Sequence, residues 1–338
     1  MSNQRATDIC SLSIHCRRRL IGRSMDICIE EIRPALPEEW NSVWRQCTYA
    51  TYFHSKEWAE LWSRYTGGWF RTSPLFVEFS DGKEALLPLT CEVWEGSVRG
   101  FVSSPPDTYG GWISVDAIDR AHAILMKDYM TTQLGKLDWQ INPFDELVSA
   151  IQVDTNEPDE THAINLRKGF DAVYLDWSSA CRRAEKKARQ SGVLVRLADK
   201  EEDWRDYYRV YEDSQRRWGG GALSQYEWRL FQGMHDLHSD HLRLWLATTN
   251  EGRIVAGAVM GYARTHAVYW HGAALEEYLA LRPVNLLFSE VIRAACEQGF
   301  EWFDFNSSAG LDGVRRFKES FGAKPLNCSI VHVEPAGS

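Results

Sequence analysis

The stretch RRFKESFGAKP, residues 315–325, sets one lysine, Lys318, between Phe317 and Phe321 and shortly before a glycine. Read as a short helix, it places the two phenylalanines four residues apart, where they pack on one inward face. A cation held in this way has two uses. It can be a solvated residue at a helix end, favoured by the dipole. It can also meet the negative charge that develops when an amine attacks an ester or thioester, where one well-placed donor contributes several kcal/mol.

Other residues carry possible chemistry. Arg182, Arg183, Lys186, Lys187 and Arg189 put five positive charges in eight positions. Such a cluster can meet phosphates; it is also what a solvated helix face looks like, and Glu185 offsets part of it. Arg216, Arg217 and Trp218 precede three glycines, an arrangement that suits a phosphate-facing loop or a simple helix-breaking linker. His271, in YWHGAA, lies on a strand and can act as a general base or as a satisfied core histidine. Asp304 alternates with Phe303 and Phe305 and so faces the other way. There it orients an amine if that face is a cleft, or caps the next turn if it is not. Three histidines in HDLHSDH (235–241) are spaced for zinc, but the stretch falls where a helix meets a strand, and a polar loop is expected with no metal. Of the fifteen tryptophans, most belong to cores; Trp112 and Trp218, beside glycines, are candidates for an acceptor groove.

The elements that position these residues repeat. Trp58 and Trp228 are 170 apart, and so are Gly82 and Gly252, each glycine in the turn of a strand–turn–strand segment. The second half reads strand 193–199, helices 201–217 and 224–237, strands 242–249, 253–263 and 266–274, helix 283–298, strand 301–305, helix 312–320 and strand 326–333. The first half gives strand 26–32, helices 37–46 and 55–64, strands 74–80, 84–94 and 98–103, helix 117–134, strand 137–142 and a last strand at 172–177. The expectation is an α/β (α+β) chain of two tandem GNAT-like domains, 25–170 and 171–338, each a mixed central sheet flanked by helices. Residues 1–24 read as a disordered tail or upstream extension.

Bulk properties narrow the classes. A net charge of −9 disfavours a general nucleic-acid coat but permits a local basic groove. No apolar run reaches the ~20 residues of a membrane span. The eight cysteines are scattered with no Cys-x-x-Cys, as for reduced thiols of a cytoplasmic protein.

The segment LRPVNLLFSEVIRAACEQGFEWFDFNSSAGLDGVRRFKESFGAKP (281–325) resembles the C-terminal signature of Fem-type (FemAB/FemX-like) aminoacyl and peptidyltransferases. That signature is a helix ending in glycine, a strand with Phe/Tyr-Asp-Phe, a glycine-containing loop and Phe-Lys-x-x-Phe-Gly. The basic helix–strand stretch 178–199 and the YGGW of 109–112 are similar to further elements of that family. The resemblance implies transfer of an aminoacyl group, from aminoacyl-tRNA, to the amine of a peptide or small-molecule acceptor, without a cofactor. It implies that Lys318 stabilises the oxyanion and Phe317 positions its helix. Lys56, Tyr109, Gly110, Trp112, Arg216, Arg217, Trp218 and Asn306 would contact the acceptor. Arg182, Arg183, Lys186 and Arg282 would hold the donor. Asn306 and Ser307 depart from the pattern, standing where relatives often carry glycine. An acyl-CoA-dependent GNAT N-acyltransferase is the alternative, although LRPVNLLF lacks the glycine-rich loop that cradles a pyrophosphate at a helix N-terminus. A non-catalytic duplicated GNAT binding module is the alternative from another class.

Overall fold

The structure, a computed structural model, describes residues 27–106, 108–151, 153–154, 157–218 and 225–334. The leading tail, the triple glycine and the side chain of Trp218 lie outside the described residues. The chain divides into two compact units, one made of residues 1–159 with 327–338 and the other of 160–326.

In the first unit, β1 (Ile29–Pro34), α1 (Pro37–Gln46), α2 (Lys56–Tyr65), β2 (Phe70–Thr72) and β3 (Leu75–Phe79) lead to β4 (Glu84–Leu87) and β5 (Thr90–Trp94). β6 (Ser97–Val102), α3 (Arg120–Gln133), β7 (Leu137–Gln140) and α4 (Glu146–Ala150) follow. The strand expected over 84–94 is two strands in two sheets, ordered β1-β3-β4 and, from the chain's last strand inward, Ile330–Val333, β7, β6, β5, β2. Pro88 explains the break, since it has no N–H to give a ladder. Val77, Phe79, Leu87, Trp112, Met126 and Trp139 share one core.

The second unit opens with β8 (Glu160–Asn165), α5 (Phe170–Leu175), α6 (Ser179–Gln190), β9 (Leu194–Leu197), α7 (Glu201–Trp218) and α8 (Trp228–Asp236). It continues through β10 (Leu242–Thr248), β11 (Ile254–Tyr262), β12 (His266–Ala274), α9 (Pro283–Glu297), β13 (Trp302–Ser307), α10 (Asp312–Ser320) and β14 (Lys324–Asn327). Its seven-stranded sheet runs β14-β8-β13-β12-β11-β10-β9. β11, buried at every position, reads as a continuous apolar run because both its faces are covered. β12 and β13 are parallel, joined by the crossover helix α9.

Three expectations need correction. Residues 172–177 do not form a strand: α5 occupies 170–175. Phe170, Val173 and Trp177 recur at i, i+3 and i+7, a helical spacing; Val173 and Trp177 are buried in the core and Phe170 packs against it. The strand found in its place is β8, earlier in the chain, which opens the second unit and inserts between β13 and β14. The final strand expected over 326–333 is again two: β14 stays in the second unit's sheet, while β15 (Ile330–Val333) pairs antiparallel with β7. The units therefore part at 159/160, not 170/171, and the first unit recovers the last segment of the chain.

Candidate active site of the second unit

β12 and β13 pair over three residues, His266–Val268 with Trp302–Asp304, and β12 then runs on to Ala274 without β13 beside it. A bulge sits in each strand where they part. On β12, Val259 pairs with His271 and Met260 with Tyr269, which leaves Trp270 as the extra residue. Such a residue interrupts the alternation of faces. Tyr269 packs on Phe288 of α9, ring centroids 5.0 Å apart, while His271 packs on Tyr211 of α7 at 4.6 Å.

On β13 the register against β8 shifts between Asp304 and Ser307. Asn306 lies there with φ 62°, a left-handed conformation that asparagine tolerates better than most residues. Asparagine thus does here what glycine does in the resembling pattern. Asp304, fully buried, accepts hydrogen bonds on Oδ1 from the Thr161 hydroxyl and, at 2.8 Å, from the Asn306 N–H. Its other oxygen is 3.4 Å from Nε2 of buried His266. Asp304 therefore caps the turn and does not face an open cleft, which removes it as a group that touches an amine.

Lys318 is 2 % exposed. Its Nζ donates to the carbonyls of Asn306 and Ser307, each at 2.7 Å. Phe317 and Phe321 flank it as the sequence implies, with rings 5.2 Å apart and both packed on Phe288. The charge is thus fixed at the tip of β13 by hydrogen bonds of the charge-assisted kind. Below α10, the buried imidazole of His162 is held under its ordinary value by burial, with the Lys318 and Arg315 charges adding and Glu160 and Glu319 opposing.

Beside Phe317 a depression of about 420 Å³ opens between α6, the start of α9 and α10. Arg183 and Lys187 of α6 and Arg282 before α9 line it, with Ala184 and Phe317 as apolar wall and no carboxylate among the described lining residues. The α9 N-terminus adds little as an amide cradle. Pro283 has no N–H, and the Asn285 N–H is taken by the Arg282 carbonyl at 3.1 Å. The positive charge of this depression comes from side-chain cations, not main-chain amides.

The remaining expected residues separate. Arg182 does not join the depression: its guanidinium donates to the carbonyls of Leu175, at 2.9 Å, and Trp177, closing the C-terminal end of α5. Lys186 faces a different hollow of about 660 Å³, shared with Glu185, Arg189 and Glu290. Arg216 is exposed and pairs with Asp213 at 3.0 Å. Arg217 donates to the Ala274 carbonyl at the end of β12 at 3.3 Å. His271 lies 2.7 Å from the Tyr207 hydroxyl, and burial pushes it down to about 3, which makes it a poor proton acceptor at neutral pH. In the first unit, Lys56 pairs with Glu60 at 2.7 Å.

Tyr109 and Trp112 are 0 % and 1 % exposed, so they fill the first unit's interior instead of lining a groove. Gly110 is needed there because a Cβ would fall 2.4 Å from the Ser103 carbonyl oxygen. Sequence reasoning did not single out Asn285, Thr161 or His266. The first could have been found from its place three residues after Arg282; the other two carry no local signal, since only the sheet order brings them to the site.

Residues 178–319 match the family model described as Acetyltransferase (GNAT) domain. No curated protein matches the chain. Among solved structures, FemX superposes with a TM-score of 0.65 at 14% identity, covering 88% of this chain and 95% of that one. L-PGS from Bacillus licheniformis gives 0.55 at 13%, covering 90% and 94%. The C-terminal domain of a putative lysylphosphatidylglycerol synthetase from Agrobacterium fabrum gives 0.56 at 11%, covering 89% and 92%. The chain shares the fold of FemX, and most of its second unit, residues 178–319, is similar to the acetyltransferase (GNAT) domain.

Proposed function

We propose that this acyltransferase moves an aminoacyl group from aminoacyl-tRNA to the amine of a peptide or small metabolite, in the cytoplasm where charged tRNA is made. The observation that carries the reading is the depression lined by Arg183, Lys187, Arg282 and Phe317, the last of which precedes Lys318 on α10. Three cations without a facing carboxylate suit the phosphates at the end of a nucleic acid. The blocked α9 N-terminus argues against the compact pyrophosphate of CoA. The likeness of the fold to FemX and to L-PGS supports it.

In the reaction the acceptor nitrogen attacks the acyl carbon, and the C–N bond forms. The carbonyl oxygen gains negative charge near the Lys318 ammonium. Collapse then breaks the ester C–O bond, and the proton lost by the amine ends on the departing ribose oxygen. His271, neutral and engaged with Tyr207, is not required as a base. The acetyltransferase description of the family matching 178–319 favours a second reading, acyl-CoA-dependent N-acylation.

A screen of charged tRNAs against acyl-CoAs, with mass detection of the acceptor, decides between the donors. Ribonuclease-sensitive transfer is expected, and transfer from acyl-CoA alone overturns the tRNA reading. Tight acceptor binding without turnover on any donor would favour the non-catalytic module. Lys318→Met is expected to abolish transfer; it also removes the donor to two carbonyls and lowers stability by about 1–3 kcal/mol. The assay therefore belongs well below the variant's own melting temperature, and unchanged turnover there sinks the oxyanion role.

A further inference from the structure

We infer that Asp304 is the positioning residue of Lys318, acting through the bulged turn at the end of β13; this rests on the reading of Lys318 as the charge that meets the oxyanion. The geometry runs through four elements. Thr161 on β8 and His266 on β12 approach the Asp304 carboxylate from the two neighbouring strands. The same carboxylate draws in the Asn306 N–H at 2.8 Å. That bond accompanies the left-handed turn at Asn306, φ 62°. The turn brings the carbonyls of Asn306 and Ser307 to one point, where both reach Nζ of Lys318 at 2.7 Å.

A carboxylate with 0 % exposure is expensive to bury, and an asparagine or serine could cap the turn. What the buried side chain adds is a fixed acceptor held between the Thr161 hydroxyl and the Asn306 N–H, and asparagine keeps that acceptor. The turn then cannot relax, and the ammonium group of α10 cannot drift along the strand. A shift of about 1 Å in such a group costs on the order of a hundredfold in rate.

The test compares Asp304→Ala and Asp304→Asn in the full chain, with kcat, both KM values and melting temperature measured for each. Asp304→Ala is expected to lower kcat about a hundredfold with each KM within about twofold, and Asp304→Asn, which keeps an oxygen for Asn306, to recover most of kcat. A kcat for the alanine variant within about threefold of the parent overturns the inference. So does failure of the asparagine variant to recover activity while folded.

The Lys318→Ala background separates the two readings in single turnovers at high enzyme concentration. There Asp304→Ala is expected to cost nothing further, because its effect passes through the missing ammonium. A second loss of the same size overturns the inference about Asp304. Wild-type turnover by Lys318→Ala itself overturns the reading of Lys318 instead. If Asp304→Ala does not fold, Thr161→Val removes one donor only; an intermediate fall in kcat is expected, and an unchanged kcat overturns the inference.

Discussion

Asp145, at the head of α4, shows how one buried group sets a pH response. It is 2 % exposed, and burial pushes its carboxyl up to about 6, with Glu146 adding and the N–H groups of Leu147 and Val148 opposing. A carboxyl whose folded value lies above its unfolded one favours the folded state at low pH and loses that contribution as pH rises through about 6. Asp145→Asn keeps an oxygen for the Leu147 N–H and should therefore raise the first unit's stability at pH 7–8, by up to about 3 kcal/mol. The gain should vanish near pH 4, and melting curves of both forms across that range check it; a gain independent of pH counts against it. Residues differ in how far the sequence exposes them. Lys318 was legible because the phenylalanines around it stand at helical spacing and the motif is distinctive. The cap made by Asp304 was one of two open readings, and the choice depended on Thr161, distant by 143 residues. Tyr109 and Trp112 were misread because a glycine beside an aromatic ring marks close backbone packing as readily as a ligand groove.

α6 carries the lesson at the next scale. Its cations were read as one cluster, yet a helix sorts them by turn. Arg183 and Lys187, four apart, face the depression with Arg282. Arg182 and Lys186, also four apart, face elsewhere. The two sets should part in experiment: Arg183→Ala and Lys187→Ala should each raise the donor KM several-fold and leave melting within about 0.5 kcal/mol of the parent. Arg182→Ala should lower stability by about 1 kcal/mol by freeing the carbonyls of Leu175 and Trp177, with donor KM unchanged. Thermal melts beside donor titrations check both, and an Arg182 variant that loses donor affinity alone refutes the division. Helices and strands were mostly legible from periodicity; α1, β12 and α10 fall where expected. α5 was not, since a short apolar segment fits either period until its flanking Gly169, φ 78°, marks a helix start. Bulges such as that at Trp270 leave no trace in one sequence, because they are defined by the partner strand.

At the scale of the whole chain the sequence shows two similar halves but conceals the exchange of their last strands. β8 opens the second unit and lies inside its sheet, and β15 follows that unit yet pairs with β7, Ile330 opposite Gln140. Strand-like patterning assigns residues to a sheet but not to which sheet. A chain ending at Leu326 should therefore keep the second unit and expose an edge of the first. Two melting transitions are expected, with only the first unit's lowered; equal loss in both units, or none, refutes the assignment. The same connection orders events during synthesis. Residues 160–326 are contiguous and can close as soon as they leave the ribosome, as domains generally do. The earlier-made unit must keep its β7 edge open until some 190 later residues have emerged, counting 330 − 140 across the Ile330–Gln140 pair. The part of the protein that is translated first is thus the part that finishes last, and a stalled ribosome would release it with an unpaired strand on show.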